Sequence, residues 1–227
     1  MTDKIIEYIA KFLALILVLS LHEFAHAFTA VKCGDFTPKL HNRYTLNPLA
    51  HFDALGLVCF VFVGFGWAKP VPINPNNFRR YKLGCFLTSI AGVLANYLLA
   101  FLIYPFISLA IVYVPDFGLF DDVIFLTLLF IYSFSLTFFV FNLLPFYPLD
   151  GFRVIDSTTK KRGKVYFFLR NKGTFVLYAL FLLSIFADLT NLYFLDILGN
   201  FIGFASGIIG MPITLFWNFI LTGVFGG

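Results

Sequence analysis

The chain has 227 residues, of which 60% are hydrophobic and 12% are charged, and its mean hydropathy is +0.89. These values lie far outside the range of soluble globular domains, so they exclude a soluble enzyme or a soluble binding module. The net charge of +4 comes from basic residues clustered in a few segments, a pattern typical of membrane topology rather than of a nucleic-acid surface. Composition therefore predicts a polytopic membrane protein without a nucleic-acid partner.

The first predicted element is an apolar helix over about residues 5–30. It is too long for the core of a signal peptide and lacks a clear small-residue cleavage site, so we interpret it as a retained membrane span. A polar, turn-rich stretch follows it. The apolar segment within residues 55–72 is too short to cross a bilayer comfortably, and we interpret it as a re-entrant or partly spanning element.

The rest of the chain predicts four more membrane helices, over about residues 83–114, 123–144, 174–187 and 197–221. Pro145 and Pro148 cannot both lie in a regular helix, so the backbone should unwind after the third span. The fold class is therefore all-α, with about five transmembrane helices.

The basic residues predict the orientation of these helices. All sixteen Lys and Arg residues fall within residues 4–82 or 153–172, whereas the breaks at 115–122 and 188–196 carry only acidic charges. By the positive-inside rule the basic segments 32–50, 68–82 and 153–172 are cytoplasmic and the acidic breaks lie outside. Lys4 and Lys11 oppose placing the N-terminus outside, but the basic residues of these segments outnumber them. A helix that runs inward from Ile5 reaches His22 after about 25 Å of a hydrocarbon core about 30 Å thick, close to the cytoplasmic side.

His22, Glu23 and His26 form an HExxH pattern directly after an uncharged apolar run. Two histidines four residues apart lie one turn apart on the same helix face, so their ring nitrogens can converge on one Zn²⁺. Glu23 lies beside the same site, where it could take a proton from a water that the ion activates. Ionisable groups are costly in lipid, which favours a functional metal site over a chance match.

The sequence also narrows the choice of a third metal ligand. A glutamate ligand from a later helix is excluded, because Glu7 is the only glutamate besides Glu23. The longer HExxHxxGxxH pattern is excluded as well, because Thr29 and Lys32 stand where it requires Gly and His.

His41, His51 and the aspartates remain as candidates for the third ligand. Asp150 is preferred because it stands alone in apolar surroundings, next to a glycine that allows close approach, at the depth of the histidines. The alternative for Asp150 is an ordinary turn residue. We expect His51 and Asp53 to stabilise turns or to support a ligand through hydrogen bonds, and Asp35 to be a solvated loop residue.

The HEFAH motif, together with Asn142-x-x-Pro145-x-x-Pro148-Leu149-Asp150-Gly151, resembles the site-2 protease family of intramembrane zinc metalloproteases. The resemblance covers residues 15–153. Residues 47–51 (NPLAH) and 66–75 (GWAKPVPINP) are similar to the compact prokaryotic branch, and we expect no PDZ domain. The resemblance implies one Zn²⁺ per chain, held by His22, His26 and Asp150, with Glu23 as the general acid and base.

Two asparagines gain candidate roles from the same resemblance. Residues 91–96 (AGVLAN) are similar to the family's AGPxxN segment, with Val93 in place of the usual proline. The resemblance implies that Asn96 helps to place substrate or polarise its carbonyl, and Asn142 is a second candidate for this role. An asparagine in a membrane helix can equally make an interhelical hydrogen bond.

The resulting hypothesis is an intramembrane zinc metalloprotease that cuts within or near transmembrane segments, as in regulated intramembrane proteolysis. Residues 1–227 would form a single integral-membrane protease domain, with a catalytic core at about 5–153 and a C-terminal helical hairpin at about 174–223. The expected partners are the lipid bilayer and a transmembrane substrate, such as an anti-sigma-factor-like single-span regulator, in a bacterial or archaeal plasma membrane. The alternatives are a membrane metal-binding or transport protein that uses the same ligands without proteolysis, and a catalytically silent relative.

Overall fold

The computed structural model describes residues 2–53, 55–56, 68–113 and 119–225, and these residues are predominantly helical. The described residues contain no β-strand beyond one isolated antiparallel bridge between Phe52 and Ala68. The helices are α1 (Thr2–Cys33), α2 (Thr37–Leu40), α3 (Pro48–His51), α4 (Tyr81–Tyr113), α5 (Leu119–Leu143), α6 (Asp150–Thr158), α7 (Lys164–Thr190) and α8 (Ile197–Phe225).

Five of the described helices, α1, α4, α5, α7 and α8, are long and apolar enough to cross a membrane. The protein is therefore an all-α polytopic membrane protein, as composition predicts. Residues 54 and 57–67 lie outside the described residues, and so does most of the element predicted at 55–72.

The described end of that segment, residues 68–74, is extended and is tied to the short helix α3. The N–H of Lys69 donates to the carbonyl of His51 at 2.7 Å, next to the bridge between Phe52 and Ala68. The Pro70-Val71-Pro72 sequence favours an extended backbone, because proline disfavours the helical region for the residue before it.

Helices α1, α4 and α5 pack against one another and form the centre of the fold. Their shared core contains Ala14 and Val18 from α1 and Ile131 from α5, with Leu99 and Ile103 of α4 packed against them. The small Ala14 side chain is fully buried and allows the three helices to approach closely.

Helix α8 packs against α4 and α5 and donates a hydrogen bond to a carbonyl group of α4 that has no partner within its own helix. Pro105 lies inside α4 and has no N–H, so the carbonyl of Phe101 four residues earlier loses its helical partner. The indole N–H of Trp217 in α8 donates to this carbonyl at 2.8 Å. An unpaired carbonyl is costly in lipid, so this contact fixes where α8 docks.

The fourth span begins ten residues before the predicted start, at Lys164 instead of residue 174. The prediction started this span only after the basic residues of segment 153–172, because we interpreted that segment as a loop. Lys164, Arg170 and Lys172 are all exposed on the first turns of α7, and long basic side chains are good helix formers.

Asp35 is fully buried, so the expectation of a solvated loop residue was wrong. Its carboxylate accepts hydrogen bonds from the Thr37 N–H at 3.0 Å, the Asn77 side chain at 2.8 Å and the Asn74 N–H at 2.7 Å. Burial alone raises the pKa of Asp35, but the hydrogen bonds from Thr37, Asn77 and Asn74 outweigh burial and lower the pKa below its ordinary value. The carboxylate thus fastens residues 74–77 to the end of α1.

Candidate metal centre

Two buried histidines project from the same face of α1. His22 and His26 are 5% and 4% exposed, and their Nε2 atoms lie 3.0 Å apart. Residues 2–33 contain neither glycine nor proline, so an unbroken helix holds the two rings one turn apart.

Asp150 reaches the histidines from the break between α5 and α6. Helix α5 ends at Leu143, because Pro145 lacks an N–H and restricts the residue before it. Asp150 is the first residue of α6, where the helix dipole favours a carboxylate. A Cβ atom at Gly151 would overlap the Leu143 carbonyl, so only glycine allows this turn to fold back against the end of α5.

The three side chains converge on one point. The Asp150 Oδ2 atom lies 3.3 Å from His22 Nε2 and 3.0 Å from His26 Nε2, and it has no other hydrogen-bond partner. Three lone-pair atoms facing one another repel unless a metal ion or a proton lies between them. Zinc bonds of about 2.0–2.2 Å place tetrahedral ligand atoms about 3.4 Å apart, so the spacing fits a zinc ion. This is the His22, His26 and Asp150 set predicted from the sequence.

Helix α4 packs directly behind the two histidines. The His26 Nδ1 atom lies 2.7 Å from the Thr88 carbonyl, and the His22 Nδ1 atom lies 3.1 Å from Nδ2 of Asn96. A Cβ atom at Gly92 would overlap both histidine rings. The missing side chain at Gly92 is therefore what allows α4 to support them.

Glu23 lies beside the three converging side chains in a cavity of about 260 Å³. Its Oε2 atom accepts a hydrogen bond from the Val71 N–H at 3.0 Å. Because Val71 stands between two prolines, this is the only N–H that residues 70–72 can offer. The extended segment thus holds the Glu23 carboxylate at the wall of the cavity that contains the metal ligands.

The remaining predicted site residues separate into two groups. Asn142 lines the cavity, and its amide donates to the Phe138 carbonyl at 3.1 Å. Asn96 is fully buried behind His22. His51 is bonded to the Thr45 carbonyl at 2.8 Å, and the Asp53 carboxylate accepts the Gly56 N–H at 3.0 Å. These contacts of His51 and Asp53 stabilise local turns. The structure places neither His51 nor Asp53 next to the metal ligands.

The sequence analysis assigned no role in the site to four contributors: Thr88, Val71, Gly92 and Arg153. Thr88 and Val71 act through backbone atoms, which leave no signal in the side-chain pattern. Arg153 lines the cavity, and its Nη1 atom lies 3.7 Å from Asp150 Oδ1. Its position three residues after Asp150, on the same helix face, is the signal that could have found it.

The chain is similar in sequence to several proteins that are named putative zinc metalloproteases. The chain is 39% identical over 149 residues to "Putative zinc metalloprotease YwhC" of Bacillus subtilis, an alignment that covers 64% of this chain and 67% of YwhC. The chain belongs to the zinc metalloprotease family of YwhC. No protein-family model matches it, and no solved structure matches it at a significant level.

Two further relatives carry the name "Putative zinc metalloprotease Rip2". The chain is 30% identical to Rip2 of Mycolicibacterium smegmatis over 168 residues, which cover 68% of this chain and 61% of that protein. It is 30% identical to Rip2 of Mycobacterium tuberculosis over 145 residues, which cover 61% of this chain and 52% of that protein. The chain thus spans between about half and two thirds of these relatives. Their names imply zinc, which agrees with the donor set of His22, His26 and Asp150.

Proposed function

We propose that this protein is a site-2 protease-like intramembrane zinc metalloprotease that hydrolyses peptide bonds within or near transmembrane segments. The observation that carries the proposal is the convergence of two histidines and an aspartate in the membrane domain, beside a glutamate in the same cavity. Membership of the YwhC family supports the chemistry, and the five apolar helices support its location within a membrane.

In this proposal His22, His26 and Asp150 hold one zinc ion per chain. Bound there, zinc would lower the pKa of a water molecule to about 7 and polarise the scissile carbonyl. The three residues that would hold the ion line the same cavity as Glu23.

Glu23 is the proposed general base and acid. Its carboxylate takes a proton from the attacking water and returns it to the leaving nitrogen of the peptide. The Val71 N–H supports this role, because it restrains one carboxylate oxygen and leaves the other for the water. Asn142, in the wall of the same cavity, is the proposed polar contact for substrate.

The proposed substrate is a membrane protein with a single span, such as an anti-sigma-factor-like regulator, in a bacterial or archaeal plasma membrane. The distribution of basic residues supports an active site toward the cytoplasmic side. We further propose that residues 1–227 form one protease domain of the PDZ-free type, with the hairpin of α7 and α8 appended to the catalytic core.

The proposal is tested by quantitative membrane proteomics on cells that carry either the wild-type protein or Glu23→Gln. We expect a truncated single-span protein to be processed in wild-type cells and to accumulate uncut in the variant. Asp150→Asn should give the same accumulation and also lower the zinc content of the purified protein. Identical membrane proteomes, with zinc retained in wild type and Glu23→Gln, would contradict proteolysis and favour metal binding without hydrolysis.

A further inference from the structure

His22 and His26 differ in the chemical group that lies next to their Nδ1 atoms. Each presents its Nε2 atom to Asp150, so each must carry its proton on Nδ1 if Nε2 is to offer a lone pair to a metal. A proton on Nδ1 then needs an acceptor behind the ring. For His26 that acceptor is the Thr88 carbonyl at 2.7 Å, a backbone group that can only accept.

For His22 the group behind the ring is the side-chain amide of Asn96. The Asn96 Nδ2 atom, a donor, lies 3.1 Å from His22 Nδ1. With a proton on Nδ1 this contact would place two donors against each other. The acceptor of the same amide, Asn96 Oδ1, is buried without any hydrogen-bond partner, and Asn96 as a whole is fully buried.

A half-turn of the Asn96 amide gives His22 Nδ1 an acceptor and gives the buried oxygen a partner, and it places Nδ2 where Oδ1 lay. It exchanges Oδ1 and Nδ2, which have nearly the same shape, so it needs no movement of α4. The buried oxygen then gains the Nδ1 proton of His22, and His22 gains the acceptor that His26 already has. One rotation therefore accounts for the unpaired oxygen and for the opposed donors.

We propose that Asn96 is a positioning residue that accepts the Nδ1 proton of His22 and thereby selects the ring tautomer that binds zinc. The inference rests on the proposed zinc site and assigns Asn96 a role different from the substrate contact that family resemblance implies. Its position favours this role, because Asn96 lies behind the histidine and does not line the cavity that holds Glu23.

Two substitutions at Asn96 separate the two roles. Asn96→Asp keeps an acceptor for His22 and removes the donor that would polarise a substrate carbonyl, whereas Asn96→Leu removes both. Zinc affinity of the purified protein is measured by competition with a chromogenic chelator. We expect Asn96→Leu to weaken zinc binding about 10–100-fold and Asn96→Asp to stay near wild type. Asn218→Leu, the same change at an exposed position of α8, serves as the control.

The outcomes distinguish this inference from the proposed function. Wild-type zinc affinity in folded Asn96→Leu would overturn the inference and leave the zinc site standing. Full zinc affinity in folded Asn96→Leu, together with lost cleavage in both variants, would restore the substrate role instead. Absence of zinc binding by the wild-type protein would contradict both the inference about Asn96 and the proposed function.

A measurement on the wild-type protein covers the case in which Asn96→Leu does not fold. The chain has only four histidines, so a nitrogen-15 spectrum of histidine-labelled, zinc-loaded protein can be assigned to individual rings. We expect the His22 proton on Nδ1, hydrogen-bonded to an oxygen. A His22 ring with its proton on Nε2 would refute the proposed role of Asn96.

Discussion

Gly92 is the residue that brings α4 within hydrogen-bonding distance of the two histidines. A methyl group there would overlap the His26 Nε2 atom and the His22 ring. We therefore expect Gly92→Ala to displace both rings and to lower zinc content to a small fraction of the wild-type value. Zinc is measured on the purified protein by mass spectrometry.

Gly203→Ala is the matched control for Gly92→Ala, because it is the same substitution in a membrane helix. A Cβ atom at Gly203 meets nothing within 4 Å in the described structure. Zinc content should be unchanged in Gly203→Ala. Full zinc content in Gly92→Ala would show that α4 does not need this close approach.

Asp35 should make the stability of the protein depend on pH in the acidic range. Its pKa is lower in the folded protein than the value of about 3.9 in an unfolded chain, so its contribution to stability is fully present above that value. The contribution is lost as pH falls from about 4 toward the lowered folded-state pKa, because protonation removes acceptors from Thr37, Asn74 and Asn77.

We expect Asp35→Asn to lower the thermal unfolding midpoint in detergent at pH 7. Below pH 4 the midpoint of this variant should fall less steeply with decreasing pH than the midpoint of the wild type. Asp188→Asn, at an exposed position, is the control and should follow wild type. A wild-type profile in Asp35→Asn would contradict the role of the buried carboxylate.

Single residues could be predicted from the sequence where side-chain chemistry carries the signal. His22, Glu23 and His26 share one helix face, and the choice of Asp150 followed from the scarcity of glutamates. The burial of Asp35 could not be predicted, because its partners at 74–77 lie some forty residues away and two of the contacts are backbone N–H groups.

At the scale of elements, the extended segment 68–74 governs the position of the Glu23 carboxylate. Val71→Pro removes the N–H that binds Glu23 and keeps the chain extended, because both neighbours are already prolines. A hydrogen bond to a charged group contributes about 1.5–3 kcal/mol, so we expect cleavage to fall about 10–100-fold while zinc content stays unchanged. Cleavage is assayed on a purified single-span substrate.

Val71→Ala is the matched control for Val71→Pro. It truncates the same buried side chain but retains the N–H, so most of the activity should remain. Equal cleavage rates for the alanine and proline variants would show that this hydrogen bond does not position Glu23.

The docking of α8 depends on the indole of Trp217 and the kink of α4. Trp217→Phe leaves the Phe101 carbonyl unpaired, which should cost about 1–3 kcal/mol of stability. Pro105→Ala returns the helical N–H to that carbonyl, so the cost of Trp217→Phe should be smaller in the Pro105→Ala background. Thermal unfolding of the four proteins of this double-mutant cycle measures the coupling, and strictly additive effects would contradict it.

The sequence predicts the helices well wherever a long apolar run is bounded by proline or polar residues. The break at Pro145 and Pro148 is an example, because α5 ends at Leu143 and α6 begins at Asp150. The start of α7 was placed ten residues too late, because basic residues end an apolar run without ending a helix. Hydropathy reports which residues prefer lipid, whereas helix bounds depend on backbone hydrogen bonds.

For the whole molecule, the order of the helices brings two distant motifs into one site. The histidines come from α1, Asp150 from the start of α6, and α4 packs behind the histidines through Gly92. The sequence predicts the pairing of the motifs through their matching depth. It could not predict that Asn96 lies against His22, because the rotation of α4 about its own axis depends on packing with α1 and α5 together.

The central claim is that this membrane domain uses one zinc ion and Glu23 to cut a membrane-spanning substrate. The most direct test measures zinc content and cleavage in the same preparation, with wild-type protein and Glu23→Gln reconstituted into liposomes beside a single-span substrate. We predict about one zinc per chain in both proteins and cleavage by the wild type alone. Equal cleavage by both proteins, or cleavage by a wild type that contains no zinc, would contradict the claim.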